Sequence, residues 1–94
     1  MSKLSVPFLP LIGEFLGTFL FILSILITGS PLMIGIFLAL IIYILSDISG
    51  GHVNPAVSLA FFLKGDLSPI KFITYVVVQL LGATASLYTF NAFA

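Results

Sequence analysis

SGGHVNPAV, residues 49–57, lies between two strongly apolar runs. Two adjacent glycines, a histidine and an asparagine sit where the flanking sequence offers them no obvious water. Irregular backbone surrounded by lipid survives only if it is buried in protein or lines a wet cavity. The reading of this stretch therefore decides the fold.

The composition sets the solvent. The chain has 94 residues, of which 61% are hydrophobic and 6% charged, and its mean hydropathy is +1.35. A soluble domain carries charge on about a quarter of its residues. Three Lys and three acidic residues cannot cover a globule of this size, so the expectation is an all-α integral membrane protein. A formal net charge of zero gives no reason to expect nucleic acid. With no Cys, disulfides and thiolate metal sites are excluded. The N-terminal run with Lys3 reads as a retained span rather than a signal peptide, because it is of full span length and is interrupted by Glu14.

A bilayer core about 30 Å thick asks for about 20 apolar residues per helix. Three stretches are candidates: about 8–28, 32–48 and 69–90. Gly29-Ser30-Pro31 breaks the first from the second, and Ser68-Pro69 is a good N-cap and first-turn pair for the third. The segment 54–64 differs. Asn54 is a candidate N-cap, Pro55 and Ala56 open the helix, and Gly65 closes it after Lys64. Ten residues rise about 15 Å, half the hydrocarbon core, so the segment reads as a re-entrant half-helix. The competing reading is a surface loop followed by an interfacial helix. Leu59-Ala60-Phe61-Phe62-Leu63 is apolar all round and lacks the polar face such a helix needs. In the re-entrant reading, Gly50 and Gly51 permit unusual dihedrals, and carbonyls not tied up by helix are available to a polar permeant.

Three motifs in order carry a family resemblance. SGGHVNPAV resembles the first signature loop of the major intrinsic protein family, the aquaporins and aquaglyceroporins. GEFLGTFLF (13–21) resembles its first helix, with Glu14 and Thr18 in place, and Tyr75-x-x-x-Gln79-x-x-Gly82-Ala83 resembles its third. The similarity runs from about Ile12 to Phe90. It implies one N-terminal repeat, three spans plus a half-helix, of a passive channel for water or small uncharged solutes such as glycerol. By the same resemblance, Asn54 would donate its amide to the permeant, and carbonyls around Gly50, Gly51 and His52 would face the pore. Glu14 would brace the loop. Ile34, just before Gly35, would be one wall of the constriction. Water-selective members usually have a bulky aromatic there, so Ile34 leans the expectation toward a polyol-permissive or mixed channel. The family fold has two inverted repeats and this chain carries one. A pore would need a second repeat, a partner chain or an oligomer.

The remaining residues are weighed on their own chemistry. Glu14 in an apolar span faces protein or water, or else reaches the interface. Gln79 is either interhelical glue or loop support, and the resemblance favours loop support. His52, the one His, is a poor metal ligand without cysteines or near carboxylates, so loop packing or backbone hydrogen bonding is expected and no cofactor. Asp47 reads as a helix-end carboxylate facing water. Gly13-x-x-x-Gly17 and Gly35-x-x-x-Ala39 read as helix-packing pairs. No nucleophile–base pair is present, which argues against an enzyme. The rival class is an accessory or holin-like membrane protein, or a non-conducting fragment. Lys3, Lys64 and Lys71 fall on one side of a three-span model, which predicts a cytoplasmic N-terminus and disfavours an inverted homodimer.

Overall fold

The computed structural model describes residues 8–94. Within them the chain forms four helices: α1 (Leu9–Ile27), α2 (Pro31–Leu45), α3 (Pro55–Lys64) and α4 (Pro69–Phe93). Each opens with Pro in its first turn, where the missing N–H costs nothing. Ser30 caps α2 by accepting from the Met33 amide at 3.2 Å. Ser68 caps α4 by accepting from the Lys71 amide at 3.2 Å.

The short helix α3 is closed at both ends by local signals. Asn54 Oδ1 accepts from the Ala56 amide at 2.8 Å, and Gly65 ends the helix at φ +97°. Its amide reaches Phe62 O, and the Asp66 amide reaches Phe61 O, both at 3.0 Å, the paired closure that a left-handed C-terminal residue permits.

The second candidate span is shorter than expected. Regular helix stops at Leu45 rather than Ile48, because the Leu45 carbonyl collects the amides of Ile48, Ser49 and Gly50 within 3.1 Å. The chain there tightens into a turn. The third candidate runs longer than expected, to Phe93. Two helices, α1 and α4, are long and apolar enough to cross a membrane, while α2 has 15 residues and α3 ten. Lys3, used above for orientation, lies outside the described residues.

The interior is inverted relative to a soluble domain. Glu14, Thr18, Ser24, His52, Ser58, Gln79 and Ser86 are buried, against only Ile41, Leu45, Val53 and Tyr75 among large apolar side chains. Long apolar side chains such as Leu20, Leu40, Tyr43, Ile73 and Leu80 point outward. That arrangement is stable only where the surroundings are themselves apolar, which makes this an all-α membrane protein.

Helix α1 is the hub, packing on both α4 and α2, and α3 packs on α4. Small residues set the approach. A methyl group at Gly82 would come 2.5 Å from Phe15 O and 3.2 Å from Phe19 N, so α4 lies directly on the α1 backbone. Gly13 and Gly17 give the same access on the other side of α1, receiving Leu45, Ile48, Ile41 and Val53. The second expected pair behaves differently. Gly35 and Ala39 are exposed, and nothing lies within 4 Å of a methyl placed at Gly35, so Gly35 receives no close helix approach among the described residues.

This contrast makes a paired test. Gly82→Ala gains about 1 kcal/mol of helix propensity but must separate two backbones, a cost of about 1–3 kcal/mol or more. It is expected to lower the thermal midpoint in detergent. Gly35→Ala gains the propensity with no clash, and its midpoint should hold or rise.

Candidate functional site

The site is built around one carboxylate. Glu14, on α1, is fully buried and accepts four hydrogen bonds, two on each oxygen. Oε2 takes Ser49 Oγ at 2.6 Å and the His52 amide at 3.0 Å. Oε1 takes the Val53 amide at 2.7 Å and Gln79 Nε2 at 2.9 Å. A carboxylate has about four lone-pair positions, so its capacity is filled. Both expected braces, Glu14 and Gln79, therefore reach the loop cluster.

The loop between α2 and α3 wraps around this acceptor. Its dihedrals are unusual at three positions: φ is +94° at Gly50, +66° at Gly51 and +45° at Val53. Gly51 is required twice over, since a methyl there would also sit 3.1 Å from Ile42 Cα. Val53 is a β-branched residue in the left-handed region, a strain of about 1–3 kcal/mol. It is held there by its bond to Glu14 and by burial against Ile41 and Leu45.

The amides turn inward. Those of Ser49 and Gly50 go to Leu45 O, that of Gly51 goes to Ser49 Oγ at 3.2 Å, and those of His52 and Val53 go to Glu14. The carbonyls of Gly50, Gly51 and His52 accept no hydrogen bond among the described residues. Donors are satisfied inside, and acceptors are left free. Asn54 is exposed at the start of α3, and among the described residues Oδ1 is the one side-chain atom of it that makes a hydrogen bond.

His52 is buried and lies beside Phe61, with ring centroids 4.8 Å apart and planes 16° apart. The edge of Tyr75 meets it at 5.2 Å. Its Nδ1 lies 2.9 Å from Ser58 Oγ. Among the described residues no three His, Cys, Asp or Glu side chains gather around a metal-sized site.

Sequence reasoning missed three contributors. Ser58, fully buried on α3, also receives Gln79 Nε2 at 2.9 Å. Tyr75 Oη donates to Ser49 O at 2.7 Å, and Ser49 itself bridges Glu14 and Gly51. A signal for two of them existed. Tyr75, Gln79, Gly82 and Ser86 are the buried residues of α4 and follow helical spacing, and Ser58 is one turn from Asn54.

Ile34 stands apart. It lies in the first turn of α2, with its amide bonded to Ser30 O at 3.0 Å. About 16 Å of helix rise separates it from Leu45, and it joins no hydrogen bond of the loop cluster. Asp47 is exposed in the turn after α2.

Replacing Glu14 tests the architecture. Glu14→Gln sets an amide NH₂ against donors and leaves at least one buried N–H unpaired, at about 1–3 kcal/mol. Hydrogen exchange at the His52 and Val53 amides should accelerate, while exchange in the middle of α4 is less affected. Unchanged protection at 52 and 53 would contradict the bracing geometry.

Comparisons with known proteins identify the family. The family model described as Major intrinsic protein matches residues 4–93. The lens fiber major intrinsic protein of Gallus gallus is 38% identical over 87 aligned residues, covering 80% of this chain and 33% of the relative. Aquaporin NIP1-1 of Arabidopsis thaliana is 35% identical over 105 aligned positions, covering 95% of this chain and 35% of the relative. Nodulin-26 of Glycine max is 36% identical over 97, covering 87% and 36%. The chain spans about a third of the length of these curated relatives. A polar loop folded around a buried carboxylate, a capped half-helix and a family match over nearly every residue lead to one conclusion: the chain belongs to the major intrinsic protein family.

Proposed function

We propose that residues 1–94 are one repeat of a channel for the passive passage of water and small uncharged solutes, with the pore completed by a second repeat or a partner chain. One observation carries this reading: from Ser49 to Val53 every backbone amide bonds inward, while the carbonyls of Gly50, Gly51 and His52 accept nothing among the described residues. A row of free acceptors at membrane depth is costly unless something polar passes or rests against it. Water and hydroxyl-bearing solutes match such a row. The N-terminus of α3 adds a donor and a partial positive charge, which disfavour cations.

The topology follows from the same reading. α1 and α4 cross, α2 crosses with the turn that extends it, and α3 enters from the Lys64 side and stops near the midplane. Lys3, Lys64 and Lys71 lie toward the cytoplasm, which puts the N-terminus there. Glu14 and Gln79 brace the loop, and Asn54 meets the permeant. Ile34 forms one wall of the narrow zone, and its aliphatic surface suits the carbon–hydrogen groups of a polyol.

The test is osmotic flux in proteoliposomes holding the chain together with its second repeat. Asn54→Ala should lower water permeability at equal protein amount. Unchanged flux would remove Asn54 from the pathway, and no flux from the wild-type assembly would return the chain to an accessory role. In the same assembly, Ile34→Phe should reduce glycerol permeability more than water permeability. An equal loss of both, or no change, would remove Ile34 from the constriction.

A further inference from the structure

The geometry points to Ser58 as the positioning residue that fixes the tautomer of His52, holding the imidazole neutral with its proton on Nε2. The argument is a count of hydrogens along a buried chain of contacts, beginning at Glu14. All four Glu14 bonds are accepted ones, so the Gln79 group facing Oε1 at 2.9 Å must be the NH₂. A flipped amide would press oxygen against carboxylate oxygen. Gln79 Oε1 is buried with no partner, so the orientation is set wholly by what the NH₂ reaches.

That NH₂ has two hydrogens. One goes to Glu14, and the other goes to Ser58 Oγ at 2.9 Å. Ser58 Oγ is thus already an acceptor, and its own hydrogen needs a destination. The side chain is fully buried, and its one other hydrogen-bond partner among the described residues is His52 Nδ1, at 2.9 Å. The hydroxyl therefore donates to Nδ1, and Nδ1 carries a lone pair. If Nδ1 bore the proton, Ser58 would accept twice and its own buried hydrogen would be left without a partner, a cost avoided when Nδ1 accepts. The same count disfavours an imidazolium, since both ring nitrogens of His⁺ are donors. The titratable groups packed near the ring are Glu14 from α1 and Tyr75 from α4.

The order of polarity is then fixed from end to end: Gln79 to Ser58, Ser58 to Nδ1, and the remaining ring hydrogen on Nε2. That edge of the ring faces Gly50, where a methyl would lie 3.4 Å from both Cδ2 and Nε2. Gly50 is exposed. An uncharged donor is thereby placed beside Gly50. This last consequence rests on the channel reading, but the tautomer does not, and it is measured without any flux.

His52 is the one histidine of the chain, so ¹⁵N-histidine labelling reports it without ambiguity. Solid-state NMR of the full chain in lipid at neutral pH should show Nε2 protonated and Nδ1 unprotonated with the shift of a hydrogen-bonded acceptor. Ser58→Thr, which keeps the hydroxyl, should retain that Nδ1 shift. Ser58→Ala should move Nδ1 to its free value, while slow amide exchange at Val53 shows that the loop is still held by Glu14. A protonated Nδ1 in the wild type would overturn the proposal, and that arm needs no variant to fold. An Nδ1 shift that is the same in folded Ser58→Ala would overturn it as well. Loss of flux in an assembled pore with the wild-type tautomer intact would count against the channel reading alone.

Discussion

A buried carboxylate in lipid is the constraint on which the rest of this structure depends. Removing Glu14 from water costs several kcal/mol. That cost is offset only if each oxygen is fully bonded, and hydrogen bonds to a charged group contribute about 1.5–3 kcal/mol apiece. The four donors come from three places: the loop backbone, Ser49 in the loop and Gln79 on α4. Satisfying Glu14 therefore fixes α1, the loop and α4 relative to one another. This compensates for the lack of a hydrophobic drive between helices in an apolar solvent. The close contact of Gly82 with the backbone at Phe15 and Phe19 brings Gln79, one turn away, within reach of the carboxylate.

The strained loop follows from that acceptor. For two successive amides, His52 and Val53, to point at one carboxylate, the backbone must curl, and Val53 is carried to φ +45°. A β-branched residue tolerates this only where the surroundings over-determine it. Curling two amides inward leaves the carbonyls outside the curl. The free acceptors are thus the geometric complement of a satisfied Glu14, not an independent feature. Replacing the glutamate would disturb the loop surface before it disturbed the helices.

Much of the fold was legible because the signals were local. Proline at the first turn of four helices, Asn54 as a cap and Gly65 at a left-handed position are read directly from the sequence, and each appears where its chemistry puts it. The early end of α2 was not legible. Hydropathy continues through Ile48, and only the gathering of three amides on Leu45 O stops the helix. Glu14 and Gln79 were legible as polar groups with nowhere else to go. Ser58 and Tyr75 offered only their helical spacing, because a serine in a short helix and a tyrosine in an apolar one are otherwise ordinary. Their roles arise from contacts with residues 21 and 26 positions away. The Gly35 pair misled for the opposite reason, since a small-residue spacing says that a close approach is allowed and not that a partner is present in the same chain.

The choice of asparagine at 54 shows how one residue type can meet two demands. Its Oδ1 caps α3 by accepting from the Ala56 amide, a role that Ser, Thr or Asp fills about as well. With Oδ1 so engaged, its NH₂ makes no hydrogen bond among the described residues. Aspartate in that place would cap equally but present a negative oxygen and no donor. Serine would cap with its only polar group and leave nothing over. Asparagine alone caps with one end and keeps a neutral donor pair at the other. The free loop carbonyls and the free Asn54 amide are opposite in hydrogen-bond sense. In the proposed channel, a permeant that both accepts and donates, as water and alcohols do, would pass between them without being left unpaired.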